Sequence, residues 1–469
     1  MFNISNLIME SNKDSFDSEA IDVIYGKGAS TSLDQTALGK INTGLVFQDA
    51  FISGEDGKVL KELAKQVAEL AYLPEMGKKR NLWKSHNMLK SVRPLIFCDP
   101  ENGWNEIITE DQMQCKGTLA RRWEMDLRKE IFQGIFIQDD KPIEAVFNVP
   151  FTVLPDDWGL DVVFTCSDFV NGSKVWDSPV KDYDRDLPKL HSPDFEIDYK
   201  TTNACLKLAK EVFGDILKVE LKGCWWWSLG ITLPAVMLRG LTNIYMDFIE
   251  QPDNIKALFN IIMKGHQSKL DYLETAGLLA LNSDTSYVGS GGLGNTDELP
   301  GLISGGIKCH NLWGFAESQE TVSVSPDMYG EFVFPFEKPH LDRFGLNCYG
   351  CCEPIDPRWQ YVKQHSNLRR VSCSPWADYE KMAEYLGTDY IFSMKPAPSL
   401  ISSPNIDRVA IRKQIRHDLE VTKGCIVEII MKDNHTLGGK PSNIVEWCSI
   451  AKEEIANVYG IEKQERLLV

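Results

Sequence analysis

The apolar run Phe344-Gly345-Leu346 leads into Asn347-Cys348-Tyr349-Gly350-Cys351-Cys352-Glu353-Pro354, so a short strand ends in small and soft-ligand residues and turns at Glu-Pro. A strand that ends this way presents its last side chains at an open rim rather than in a core. Three thiols and a carboxylate fall within six residues. A lone cysteine usually behaves as a small buried hydrophobe. Adjacent cysteines with a carboxylate at a strand end point instead to metal binding or thiol chemistry.

Working outward, short apolar runs bounded by turn residues recur at 92–100, 144–149, 217–221, 278–281, 369–373, 390–394 and 426–431. With 344–348 they make eight expected strands. Segments with apolar residues at helical spacing lie at 56–73, 81–89, 252–277, 326–341, 378–386, 407–422 and 441–458. Several open at a Pro or Asp, as helix starts do. Strands of this length alternating with helices imply parallel βαβ units. The expected fold is therefore α/β, a (β/α)8 TIM barrel over 91–469 preceded by an N-terminal helical extension over 1–90. A doubly wound open sheet is the alternative, but no Gly-rich dinucleotide fingerprint follows the first run. In a barrel, function gathers where strands end. That rule collects Asp99, Asn102, Asn148, Asp284, Cys351 to Glu353, Ser374, Lys395 and Asp433 to His435.

Composition narrows the function classes. The chain has 469 residues, a 43% hydrophobic share and a formal net charge of −17. Such an acidic balance argues against a general nucleic-acid or anionic-membrane surface. The start, Met1 to Glu10, lacks the basic and apolar regions of a signal peptide, and no run approaches the ~20 apolar residues of a membrane span. A cytoplasmic protein is expected, and its 12 scattered cysteines should be reduced.

The segment Ile231-Thr232-Leu233-Pro234-Ala235-Val236-Met237-Leu238-Arg239-Gly240-Leu241, with Met246-Asp247-Phe248 and Gln251-Pro252-Asp253, resembles the uroporphyrinogen decarboxylase superfamily. So do Ser318-Gln319-Glu320-Thr321, Val324 to Tyr329 and Phe332-Val333-Phe334-Pro335. The resemblance spans most of 80–460 and implies a (β/α)8 barrel. It also implies either a porphyrinogen decarboxylase or a corrinoid-dependent methyltransferase. The decarboxylase branch carries an arginine-rich grip for substrate carboxylates. Here the first strand is followed by acidic Asp99-Pro100-Glu101-Asn102-Gly103-Trp104. The methyltransferase branch carries a metal-binding His-x-Cys, a later cysteine and an upstream glutamate. Tyr349-Gly350-Cys351 stands at the first position, His435 near the second, and Glu317 lies upstream. The variant pattern is similar to the methyltransferase components of anaerobic O-demethylases, which act on aryl methyl ethers.

The resemblance thus implies a zinc site of Glu317, Cys351 and His435, with Cys352 as an alternative ligand. Its open position would take the ether or phenol oxygen. Glu317, Cys351 and His435 are the expected catalytic residues. Trp226, Trp313, Phe315, Asn102 and Tyr349 are the expected substrate contacts, because flat aromatic walls beside a polar centre suit a methoxylated arene. Of Trp225-Trp226-Trp227, at least one should line a cavity or an interface, and Glu353 before Pro354 reads as a turn residue. No Asp-x-His-x-x-Gly corrinoid signature is present, so cobalamin should arrive on a corrinoid partner protein. The other expected partner is a small methoxylated aromatic, with no nucleic acid and no membrane, and a homodimer is a compatible assembly. A metal-independent lyase on the same barrel, a methyltransferase for another small donor, and a non-catalytic corrinoid- or metal-handling protein are the alternatives.

Overall fold

In the computed structural model, residues 45–90, 92–154, 158–166, 174–193, 196–301 and 305–461 are described. Residues 1–44 of the expected N-terminal extension lie outside them. Helix α1 (Gly54–Ala71) starts where the Ser53 hydroxyl accepts from the Asp56 amide, the usual side-chain cap for otherwise unpaired N–H groups. It buries Leu60, Leu63, Ala64, Val67 and Leu70 along one face. Helix α2 (Pro74–Asn87) opens on a proline at its first turn and buries Trp83, His86 and Asn87.

The strands in chain order are β1 (Leu95–Cys98), β2 (Val146–Val149), β3 (Val163–Cys166), β4 (Lys174–Asp177), β5 (Lys218–Leu221), β6 (Tyr287–Val288) and β7 (Gly292–Leu293). They continue as β8 (Trp313–Ala316), β9 (Leu346–Tyr349), β10 (Leu368–Cys373), β11 (Ile391–Met394) and β12 (Ile426–Met431). One six-stranded sheet runs β1-β12-β11-β10-β9-β8, parallel throughout. β2 and β5 form a separate parallel pair, while β3–β4 and β6–β7 are antiparallel hairpins. The protein is therefore α/β with a parallel central sheet and helices between its strands.

The ladder departs from the expected ring of eight in three places. The run at 278–281 forms no strand. Leu278 and Leu279 are packed in a core, and the next side chain, Asn282, takes over the ladder's role. Its Oδ1 accepts from the Trp313 amide at 2.9 Å and its Nδ2 donates to the Trp313 carbonyl at 3.0 Å. β8 was not expected as a strand. At β1 the free edge is capped by carboxylates: Asp140 accepts from the Ile96 amide and Asp139 from the Cys98 amide, each at 2.7 Å. An unpaired sheet edge must be satisfied somehow, and two aspartates do it here. Among the described residues the strand ladder is thus not closed.

Alternation along β12 defines two faces. Val427, Ile429 and Met431 join the main core, whereas Ile430 packs with Leu95, Phe97, Trp83 and Leu293. On that inner side, Glu428 pairs with Arg370 at 2.9 Å, His86 at 3.0 Å and the Ser393 hydroxyl at 2.5 Å. Burial opposes ionisation of Glu428, but Arg370 and His86 hold its pKa down to about 2. The inner side also takes in the β6–β7 hairpin, whose residues 288–296 are buried. Its glycines permit close approach: a Cβ on Gly292 would lie 2.1 Å from the Arg370 guanidinium carbon.

Candidate active site at the strand ends

β9 ends at Gly350, whose φ of +92° turns the chain in a way that favours glycine. Cys351 follows, 3% exposed. Its sulfur sits 3.3 Å from the Ser290 hydroxyl at the tip of the β6–β7 hairpin, 3.7 Å from the Cys352 sulfur and 3.9 Å from Lys432 Nζ. The hydrogen bond from Cys352 lowers the Cys351 pKa; burial opposes this and the Lys432 ammonium assists it. Cys352, exposed, is driven the other way because it is the partner that keeps the proton, and its sulfur lies 3.6 Å from Asp433 Oδ2. The pair thus concentrates thiolate character on the buried sulfur, the state in which a thiol is reactive.

Lys432 follows β12 and is nearly enclosed. It lies 2.6 Å from Asp433 Oδ1 and 3.6 Å from Glu101 Oε1. Burial alone would lower its pKa, but Cys351, Tyr287, Glu101 and Asp433 together hold it well above the ordinary lysine value. Glu101 and Asp433 both adopt left-handed backbone, φ +48° and +59°. Such conformations are costly for non-glycine residues and persist where the surroundings impose them.

Glu317 follows β8 and is fully buried. It accepts from the Ser228 hydroxyl at 3.2 Å and the Gln319 amide at 3.1 Å. Burial pushes its pKa well above the usual carboxylate range, and Glu320, Glu353 and Cys351 push the same way. Glu353 lies in the bend that follows β9. It is buried and bridges two strand ends, accepting from the amides of Ser318 and Cys351, each at 2.9 Å.

The aromatic residues divide. Trp313 and Phe315 share a buried cluster with Cys351. Trp313 donates its indole N–H to the Gly294 carbonyl at 2.9 Å, and Phe315 meets Trp227 edge-on with centroids 5.4 Å apart. Trp226 packs instead on Phe344, beside a different cluster. Tyr349 points away from the inner side: its hydroxyl lies 2.8 Å from that of Tyr329 and donates to Glu337 at 2.7 Å, and its ring stacks on His365. Asn102 and His435 meet at the exposed rim, Nδ2 3.3 Å from Nδ1.

The donors do not fit the zinc ion expected from the resemblance. Among the described residues no three His, Cys, Asp or Glu side chains are grouped to hold a metal. The reason is visible in their partners. His435 turns to Asn102, Glu317 is engaged by Ser228 and Gln319, and Cys352 faces Asp433.

Ser290 and Lys432 complete the site without having been singled out in the sequence, while Glu101 and Trp227 stood only within the acidic segment and the tryptophan run. One signal for them exists. Tyr287-Val288-Gly289-Ser290-Gly291-Gly292-Leu293-Gly294 is dense in glycine between apolar residues, which marks close approach of backbone to another group.

No protein-family model matches the chain and no curated protein matches it. Among solved structures the chain is similar to a methyltransferase from Methanosarcina mazei, with a TM-score of 0.46 and 12% identity over 81% of this chain and 98% of that one. A likeness at that level carries no argument about chemistry. No helix of the described residues is long and apolar enough to cross a membrane.

Proposed function

We propose that the protein is a methyltransferase that takes the methyl group of an aryl methyl ether and passes it to a corrinoid on a partner protein, working from an interrupted (β/α)8-type barrel. The observation that carries the reading is a buried thiol in contact with a hydroxyl and an ammonium, with carboxyl groups of raised pKa nearby. The Cys351 sulfur contacts Ser290 and Lys432, Glu317 lies nearby, and Glu101 stands beyond Lys432. Trp227 and Phe315 supply flat apolar surface beside it.

Each part has a task in that reaction. The reduced corrinoid supplies the nucleophile that attacks the methyl carbon. Positive charge develops on that carbon, and the Cys351 sulfur, with its thiolate character, complements it. Negative charge develops on the departing aryl oxygen, and a protonated carboxyl can neutralise it by general acid catalysis. The aromatic surface holds the ring and keeps water away. No step is assigned to a metal ion, because the donors present do not form a site for one. A lyase acting on a polycarboxylate is disfavoured by the mouth itself, where Asp99, Glu101 and Asp433 surround one ammonium.

The test is to incubate the protein with methoxyarenes, methanol and methylamines in the presence of reduced cobalamin and to quantify the demethylated product. The account expects phenol release from methoxyarenes, at rates well above those for the aliphatic donors. Preference for an aliphatic donor would reject the aromatic pocket, and absence of any methyl transfer would reject the function.

A further inference from the structure

Two carboxyl groups lie around this centre, Glu317 near the Cys351 sulfur and Glu101 across Lys432 from it, and their surroundings differ. Glu317 is fully buried and already engaged by Ser228 and Gln319. Glu101 stands at the mouth, its side chain 31% exposed, on the loop that leaves β1. The groups around Glu101 are Asp99 on its own loop, Lys432 and Asp433 from the end of β12, and Tyr287 from the hairpin. The Cys351 sulfur lies on the far side of Lys432, 3.9 Å from Nζ. One ammonium cannot neutralise three carboxylates, so a carboxyl here should retain its proton.

Geometry says which one. Asp433 holds Lys432 at 2.6 Å. Asp99 accepts the Glu101 amide at 3.1 Å. Glu101 is farther from Lys432, at 3.6 Å, and its own amide, not its carboxyl, is the group Asp99 engages. The backbone holds it there in the left-handed region, opposite a second left-handed residue, Asp433. Beside them Asn434 is 1% exposed, gives its amide N–H to the Asp99 carbonyl and leaves Oδ1 without a partner.

We propose that Glu101 is the catalytic acid of this site, protonating the aryl oxygen as the methyl group leaves. The inference rests on the methyl-transfer reading and names the residue that completes it. In the step, the O–CH3 bond breaks and its electron pair stays on oxygen. The methyl carbon bonds to the electron pair of the reduced corrinoid nucleophile brought by the partner. The oxygen takes the Glu101 proton, giving a neutral phenol and a carboxylate, and solvent at the mouth returns the proton before the next turnover. Consistent with this role, burial raises the Glu101 pKa to about 7 against the pull of Lys432 and of a backbone hydrogen bond from Asp433, with the charges of Asp99 and Asp433 adding to the rise.

The experiment compares wild type, Glu101→Gln and Glu101→Asp across pH 5 to 9 with free reduced cobalamin as acceptor. It uses two aryl methyl ethers, one with a strongly basic phenolate leaving group and one activated by a nitro group. Wild type should lose activity as pH rises through about 7. Glu101→Gln should lose that limb and fall about 100-fold with the basic leaving group, yet change less than about threefold with the activated one, while Glu101→Asp recovers part of the loss. A Glu101→Gln enzyme that keeps the alkaline limb, or that loses rate equally on both ethers, overturns the assignment of Glu101. A wild type inactive on every ether overturns the methyl-transfer reading itself, and this inference with it.

Discussion

The Ser290 hydroxyl lies 3.3 Å from the Cys351 sulfur and so ties the tip of a glycine-rich hairpin to the end of a central strand. The hairpin gains its place because glycine backbone can pass where a side chain could not. A Cβ on Gly289 would stand 2.8 Å from the Cys348 Cβ, and one on Gly291 would stand 2.4 Å from Ile430.

Ser290→Ala removes a donor from the Cys351 sulfur. Its loss should raise the Cys351 pKa. The rate of iodoacetamide alkylation at Cys351 against pH, resolved by peptide mass spectrometry, measures this. An unchanged profile would mean that the contact does not polarise the sulfur.

Asp140 caps the free edge of β1 and pairs with Arg93 at 2.6 Å. Burial opposes its ionisation, but Arg93 holds its pKa to about 2. The folded value lies below the unfolded value of ~3.9, so the stability it contributes is present above pH ~4 and is lost as pH falls through about 2. Asp140→Asn should cost ~3 kcal/mol at neutral pH, since it leaves Arg93 buried without its partner. It should also flatten the dependence of the urea midpoint on pH between about 2 and 4. A variant as stable as wild type would show that the edge is satisfied in another way.

His435 sits at the exposed rim against Asn102. His435→Ala should shift stability by less than ~0.5 kcal/mol, the usual range for surface substitutions, and should leave Cys351 alkylation unchanged. A large fall in turnover without unfolding would bring His435 back to the chemistry, and a metal site with it.

The sequence made Cys351 legible because the apolar run stops just before it, so its place at a strand end followed from local pattern. β8 was not legible. Its four residues, Trp313 to Ala316, alternate aromatic and small side chains, and the aromatics read as pocket wall. The run at 278–281 misled for the opposite reason: apolar residues in short runs do not distinguish a strand from packed loop. Glu353 before Pro354 looked like a turn, yet long-range contacts bury it between two strand ends. Lys432 and Glu101 are 331 positions apart in the chain, and only the pairing of β1 with β12 brings them together.

The central claim is that methyl transfer runs beside the Cys351 sulfur. The direct measurement is the single-turnover rate of cobalamin methylation from a methoxyarene by wild type and by Cys351→Ala, with circular dichroism confirming that both are folded. The account predicts rapid transfer by wild type and a fall of at least ~100-fold in the variant. Equal rates in the two folded proteins, or no transfer by wild type, would contradict it.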